Sequence, residues 1–347
     1  MPEGTEKAKF RTPQRTLEVV PRLWPDEYSL LEAVHEYVPN VPKPLIRHGW
    51  NSALHAYVPG EPLGYLHPRG KKALSDTLLR RIAKVMRRIA AVPAGSLPPL
   101  PVDWPGNGDS EGFLQRLVSF SEEKVQRRYQ SRFGELFDSL GIPEDAVSRF
   151  RDRAAHLDRW PTGLTTRDFC LVHADLHRDN LILCGKRIYV LDWELALYGD
   201  PLHELATHVV RMGYTPDEQS RLIKQWQYLA EPRHQRGMDA DLQVYTDFEY
   251  AQSVFADTMR AAAGLRTRPT ESALEGAAQT VRRALRNAEA PLKLEGVPDL
   301  RETTAALRTW AKGSRRTRRW VVRDPRAARP VLAWGVQTAA PALSAGQ

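Results

Sequence analysis

Apolar positions along the 347-residue chain follow two rhythms, and the change from one to the other marks its organisation. Leu74, Leu78, Leu79, Ile82, Val85, Met86 and Ile89 recur at three- and four-residue steps with Lys and Arg opposite, which predicts one long amphipathic helix. The same spacing at Leu30, Leu31 and Val34 predicts a shorter helix opened by Asp26. Further helical patterns cover about 112–132, 144–158, 202–213, 216–229, 240–264, 271–289 and 300–311.

Strand-like runs are fewer. The island from Asp168 to Trp193 contains the apolar run FCLVH, a polar loop ADLHRDN, and two β-rich runs, LILC and RIYVLDW, joined by a tight Gly185-Lys186 turn. Nearer the start, TLEVVPRLW (Thr16 to Trp24) reads as a short strand interrupted by Pro21. ALHAYVPGEPL reads as a strand ending in a Pro-Gly turn, a hinge near residues 55–62. The first fifteen residues are polar and read as loose, while VPNVPKPL and VPAGSLPPLPVDWPGNGD carry too many prolines to be helix. The order predicts an α+β chain with a small mixed N-terminal part and a mainly helical remainder around a buried hairpin.

Charge and composition alter this outline at one place. Residues 312–329 hold eight Lys or Arg and one Asp, so +7 of the net +8 lies there and residues 1–311 carry only +1. A basic tail reads as solvated, and nucleic acid is not the expected partner. No apolar run is long enough for a membrane helix, and MPEGTEKAKFRTPQR lacks the apolar core of a secretory signal, which points to the cytoplasm. Cys170 and Cys184 are too few for a disulfide framework and read as buried thiols.

The chemistry is concentrated in the hairpin. Folding the chain back at Gly185-Lys186 returns Asp192 to the neighbourhood of Asp175 and Asn180, so three oxygen-bearing side chains converge. Phosphoryl transfer needs such a set: oxygen ligands for Mg2+ on the phosphates and a carboxylate to orient the attacking hydroxyl. The kinase catalytic loop H-R-D-L-x-x-x-N is matched at His173, Asp175, Leu176 and Asn180, with Ala174 where the Arg would stand. Asp192 is followed after eight residues by Asp200-Pro201, leaving no room for an activation loop. The pattern is that of an unswitched kinase.

From about Thr16 to Ala290 the chain resembles the aminoglycoside phosphotransferase and choline kinase family, through HADLHRDN, LDWE and GDPLHELA, with Glu204 in place of the usual Asp. The resemblance implies a two-lobed protein-kinase-like α+β fold. Its parts would be a reduced N-terminal lobe (1–58), a helical C-terminal lobe with the catalytic hairpin at 168–193 (59–311), and a flexible basic tail (312–347). It implies an ATP- and Mg2+-dependent phosphotransferase in which Asp175 is the base, His177 lies near the transferred phosphate, and Asn180 and Asp192 bind metal. Asp200 would be a structural carboxylate under the loop, and the backbone of His55, Tyr57 and Val58 would hold adenine. The family also places a basic residue on an N-terminal strand and pairs it with a helix Glu; Arg22 and Glu27 are the residues assigned to these roles.

The acceptor expected is a small-molecule hydroxyl, such as that of an amino sugar, nucleoside or amino alcohol. A peptide Ser or Thr, phosphorylated with help from a partner protein, and a non-catalytic binding module are the alternatives. Several residues also have plainer readings. His173 reads as a hydrogen-bonded core residue, and His177, His203 and His208 are explained by the loop and one helix face better than by zinc. Glu194 is either a support for Asp192 or a surface group. Asp247, Glu249 and Asp257 would suit a cationic acceptor but read first as the wet face of a helix.

Overall fold

The computed structural model describes residues 8–11, 17–24, 26–48, 52–151, 163–265 and 269–313. Among the described residues, three small sheets organise the fold. The first is antiparallel in the order β1-β3-β2, with β1 Ala8–Arg11, β2 Pro44–His48 and β3 Ser52–Ala56. The second joins β4 (Glu61–Pro62) to the hairpin β6 (Leu181–Cys184) and β7 (Arg187–Val190). The third pairs β5 (Cys170–Val172) with β8 (Leu197–Gly199).

The N-terminal strands differ from the sequence reading. Residues 17–24 form no strand, although Val19, Val20, Leu23 and Trp24 are buried. Pro21 has no N–H to give to a ladder, and the edge of β3 is instead taken by AKFR, whose Lys9 pairs with His55. That strand lies inside a stretch read as loose because it is polar; its order comes from β3 rather than from its own apolar content.

The described helices follow the predicted rhythm, although Leu74 precedes its helix, and residues 152–158 of the helix expected at 144–158 lie outside the described residues. α1 (Glu27–His35) is capped by Asp26, which accepts from Tyr28 and Ser29 N–H and also pairs with Arg47 of β2 at 2.6 Å. After the single turn α2 (Leu63–Leu66), α3 (Asp76–Ala90) buries Leu78, Leu79, Ile82, Ala83, Val85, Met86 and Ile89, each large one contributing about 1.5–3 kcal/mol of gross burial. α4 (Ser110–Phe120) runs through a π-helical stretch into α5 (Arg128–Ser139), followed by α6 (Ala146–Arg151). α7 (Pro201–Met212), α8 (Pro216–Leu229), α9 (Met238–Gly264), α10 (Glu271–Leu292) and α11 (Leu300–Gly313) complete the helical part. No described helix is long and apolar enough to cross a membrane.

Two contacts position the hairpin against the rest. Asn40, between α1 and β2, accepts Val190 N–H at 2.8 Å through its carbonyl and donates Nδ2 to Ile188 O at 2.9 Å, tying β7 to the N-terminal sheet. β8 closes the eight-residue step after Asp192 and pairs directly with β5, so no long loop intervenes before Asp200. Cys170 is buried, whereas Cys184, at the hairpin turn, is only half-buried. Residues 314–347, most of the predicted basic tail, lie outside the described residues.

Candidate active site

β5 delivers His173, and the chain then turns sharply. Ala174 adopts φ 57°, a left-handed conformation that costs a residue bearing a Cβ roughly 1–2 kcal/mol. What offsets that cost is a carboxylate beneath the turn. Glu204 Oε2 accepts the N–H of His173 and, at 3.0 Å, that of Ala174. Burial pushes the Glu204 carboxyl up to about 7, although both amide hydrogen bonds pull it down. Asp200, expected to fill this place, instead caps α7 by accepting Leu202 N–H at 2.9 Å and binds Arg167 through both oxygens.

His173 is fully buried and neutral. Burial lowers it to about 4 despite the nearby charges of Asp175 and Asp192, which places both carboxylates close to the ring. Its Nδ1 accepts Asp175 N–H at 3.3 Å, so Nε2 carries the proton and donates to Leu191 O at 3.1 Å. The ring meets buried Trp193 edge-on at 4.8 Å. It thus spans the catalytic loop and the end of the hairpin, as a core histidine should.

Asp175 is almost wholly buried and contacted on both oxygens. Asn180 Nδ2 lies 3.2 Å from Oδ2 and 2.9 Å from the Asp175 carbonyl. His177 Nε2 is 3.5 Å from Oδ2, while its Nδ1 accepts Asp179 N–H at 3.1 Å, which puts the ring proton on the side facing the carboxylate. Oδ1 faces Arg211 of α7, whose Nη1 is 3.3 Å away.

The hairpin brings Asp192 back as predicted. Leu191 N–H donates to Asn180 O at 2.9 Å, extending the ladder one residue beyond β6 and β7, and Asp192 follows in a left-handed turn at φ 68°. Asp tolerates that region better than most residues. Nδ2 of Asn180 is committed to Asp175; its Oδ1 and the carboxylate of Asp192, one residue past the Leu191 that bonds Asn180, are a pair of oxygen donors by chemistry and register. Such a pair suits a hard cation such as Mg2+, which takes few protein ligands and completes its shell with water and phosphate oxygens.

The residues assigned to the nucleotide side are less closely grouped. Arg22 lies on no strand, and its Nη2 is 3.3 Å from Glu194 rather than joined to Glu27 by any bond seen here. Glu27 Oε1 accepts Trp193 N–H at 2.8 Å. Both therefore hold the two residues that follow Asp192, Glu194 through a partly exposed ion pair. The strand that precedes α1 is β1, and its lysine is Lys9. His55 is buried within β3, the central strand with a neighbour on each edge, so its backbone lies inside the ladder. Only Tyr57 and Val58, past the end of β3, lie outside it.

Arg211 and Glu249 carry no sequence motif, yet they complete the site. Arg211 Nε is 2.9 Å from Glu249 Oε1, and Glu249 is fully buried in α9, where Thr207 and Gln252 also donate to it. Burial raises the Glu249 carboxyl and Arg211 pulls it down. Asp247 is 1% exposed and accepts Gln243 Nε2 at 2.9 Å, so the wet-face reading fails for both residues. They face inward because α9 packs on α7 and α10 at once, leaving it little wet face. Beside them His203 and His208 are buried and held neutral: burial lowers them to about 3 and about 4, and His208 Nδ1 donates to Leu176 O at 2.7 Å.

Comparison with known proteins agrees with this arrangement. The model of the phosphotransferase enzyme family (APH) matches residues 9–240. A choline/ethanolamine kinase family protein from Mesorhizobium loti superposes with a TM-score of 0.51 at 14% identity, covering 87% of each chain, which establishes the protein-kinase-like fold. Choline kinase LicA from Streptococcus pneumoniae gives a TM-score of 0.47 at 16% identity over 82% of this chain and 86% of its own. A thermostable mutant of aminoglycoside phosphotransferase APH(4)-Ia gives 0.45 at 16% identity, with 78% and 83% covered. Among curated proteins, no sequence matches this one.

Proposed function

Because the chain belongs to the phosphotransferase enzyme family, we propose that it transfers the γ-phosphate of ATP to a hydroxyl of a small molecule, with Asp175 receiving that hydroxyl. The observation that carries this reading is the joint placement of Asp175, Asn180 and the returning Asp192 around His173. In this reading residues 1–58 form the nucleotide side and residues 59–311 the catalytic body, with the hinge after β3. Tyr57 and Val58 offer backbone to adenine, and Lys9, rather than Arg22, is the strand cation on the phosphates.

Asp175 acts mainly by orientation. A loose phosphoryl-transfer transition state needs little proton removal before the bond to the leaving group has lengthened. A carboxylate fixed by Asn180, His177 and Arg211 accepts the hydroxyl hydrogen bond and holds its oxygen in line. Asn180 Oδ1 and Asp192 would hold Mg2+, which when bound neutralises phosphate charge. His177, 22% exposed at the side chain, is the outermost member of the set and stands where a transferred phosphate would pass. Committed to Arg211, Glu249 is not offered to a cationic acceptor.

The test is a mass-spectrometric screen of purified protein and Mg-ATP against a pool of amino sugars, nucleosides and amino alcohols. A product heavier by one phosphate, lost in both Asp175→Asn and Asp192→Ala, is the expected result. If neither a metabolite nor an added Ser- or Thr-containing peptide gains phosphate while the protein still binds ATP, the chain is a binding module.

A further inference from the structure

Glu204 has a second face. Its Oε2 supports the catalytic turn, but Oε1 accepts no hydrogen bond among the described residues, although the side chain is 95% buried by its 5% exposure. A carboxyl oxygen withheld from water in that way is costly to leave without a partner, most of all when the group is ionised. Glu204 lines a cavity of ≈ 130 Å³ together with Cys170, Leu171 and Val172 of β5, and Asp175 is not among its lining residues. Met86 and Ala90 of α3 and Trp226 of α8 form apolar walls. Two arginines with exposed side chains, Arg87 and Arg233, line its outer part beside Glu231 and His234, and Arg233 makes a 3.5 Å contact with Asp168.

We infer that this cavity is a binding site for a small amino acid, with the ammonium on Glu204 Oε1 and the carboxylate between Arg87 and Arg233. Size supports the class: cavities near 150 Å³ hold about six heavy atoms, the size of alanine. Polarity supports the direction of entry, since a buried carboxylate, apolar walls and an outer part where two guanidiniums outnumber the one carboxylate of Glu231 run in the order of a zwitterion with a short side chain. Occupation has a consequence for the transferase reading. The ligand and the His173 and Ala174 amides share one carboxyl group, so binding stiffens the left-handed turn that presents Asp175. A metabolite of this class would then tune turnover from outside the active site.

Calorimetric titration with glycine and L-alanine tests binding without reference to turnover. Neither carries a hydroxyl, so neither is a phosphate acceptor, and failure of the transferase reading would leave this result standing. Acetate, which lacks the donor, is the control. The expected result is saturable binding of at least one amino acid and at least about tenfold weaker binding of acetate. Binding should weaken by about tenfold or more in Ala90→Leu, which fills the cavity, and in the surface variant Arg233→Gln. Hydrogen exchange at the His173 and Ala174 amides should slow by about threefold or more on binding. Absence of binding by both amino acids, as in a cavity that holds only water, overturns the inference. So does binding of acetate with equal strength, or binding that survives both variants unchanged.

Discussion

Arg211 Nη1 stands 3.3 Å from Asp175 Oδ1, so the residue that would receive the acceptor hydroxyl is held from α7 as well as from its own loop. The same guanidinium reaches Glu249 at 2.9 Å, making one cation serve two buried carboxylates. Burial alone would lower the Arg211 guanidinium; Glu249 first and Asp175 second hold it charged.

Removing Arg211 should therefore do two separable things. Arg211→Met strands Glu249 without its charge partner and should destabilise the fold by about 3–5 kcal/mol, read by urea unfolding. Adding Glu249→Gln should recover most of that loss but leave kcat about 100-fold down, because Asp175 is still unoriented. Recovery of kcat together with stability would show that Arg211 serves only the fold.

The Glu204 carboxyl gives a pH signature. It titrates near 7 in the folded chain and near 4.5 when exposed, so the folded state holds the extra proton between those values. Its stabilising contribution is complete below pH 4.5 and lost as pH rises through 7, a difference of roughly 3 kcal/mol. His173, His203 and His208 act in the opposite sense, being lowered, and their contribution disappears as pH falls below 6.5. Comparing wild type with Glu204→Gln cancels the histidines. The Gln variant should gain on wild type by roughly 3 kcal/mol as the pH of denaturation is raised from 4.5 to 7. A stability difference independent of pH would refute the raised value.

The two N-terminal cations are distinguished by kinetics. If Lys9 contacts phosphate, Lys9→Ala should lower kcat/KM for ATP about 100-fold, whereas Arg22→Ala, which loses a half-exposed pair with Glu194, should cost no more than about fivefold. The reverse order would return the strand-cation role to Arg22.

These residues show what the chain's pattern conveys and what it withholds. α1, α3 and α7 to α11 were legible because burying one face of a helix imposes a period that local sequence displays, and Asp26 marked the start of α1 correctly. The catalytic set was legible because its spacing is itself the geometry: a five-residue step and a hairpin bring Asp175, Asn180 and Asp192 together within one short stretch of chain. β1 was not, since AKFR is ordered by its register with β3, and its one large apolar residue, Phe10, is exposed and stands alone in a polar stretch. Arg211, Glu249 and the buried Asp247 were hidden for a related reason. Which face of α9 is dry depends on two other helices, so a charge buried against a partner looks the same in sequence as one facing water.

Arg167 is the extreme case of such a charge, and it yields the last prediction. Its side chain is fully buried just before β5, with Nε 3.0 Å and Nη2 2.8 Å from Asp200 and Nη1 bonded to Asp241 and the Arg236 carbonyl. Burial would lower it, but hydrogen bonds and charge from Asp200 and then Asp241 raise it further above its ordinary value. Because Asp200 also caps α7, this one guanidinium links the starts of β5, α7 and α9, the elements that carry His173, Arg211 and Glu249. Arg167→Met should destabilise by about 3–5 kcal/mol by leaving two buried carboxylates unpaired. Arg167→Lys should recover little, since an ammonium cannot reproduce a planar fork engaged on three sides. In both variants residual activity should track the folded fraction, measured by circular dichroism in the same samples. A loss of kcat without loss of folded protein would instead place Arg167 in the reaction itself.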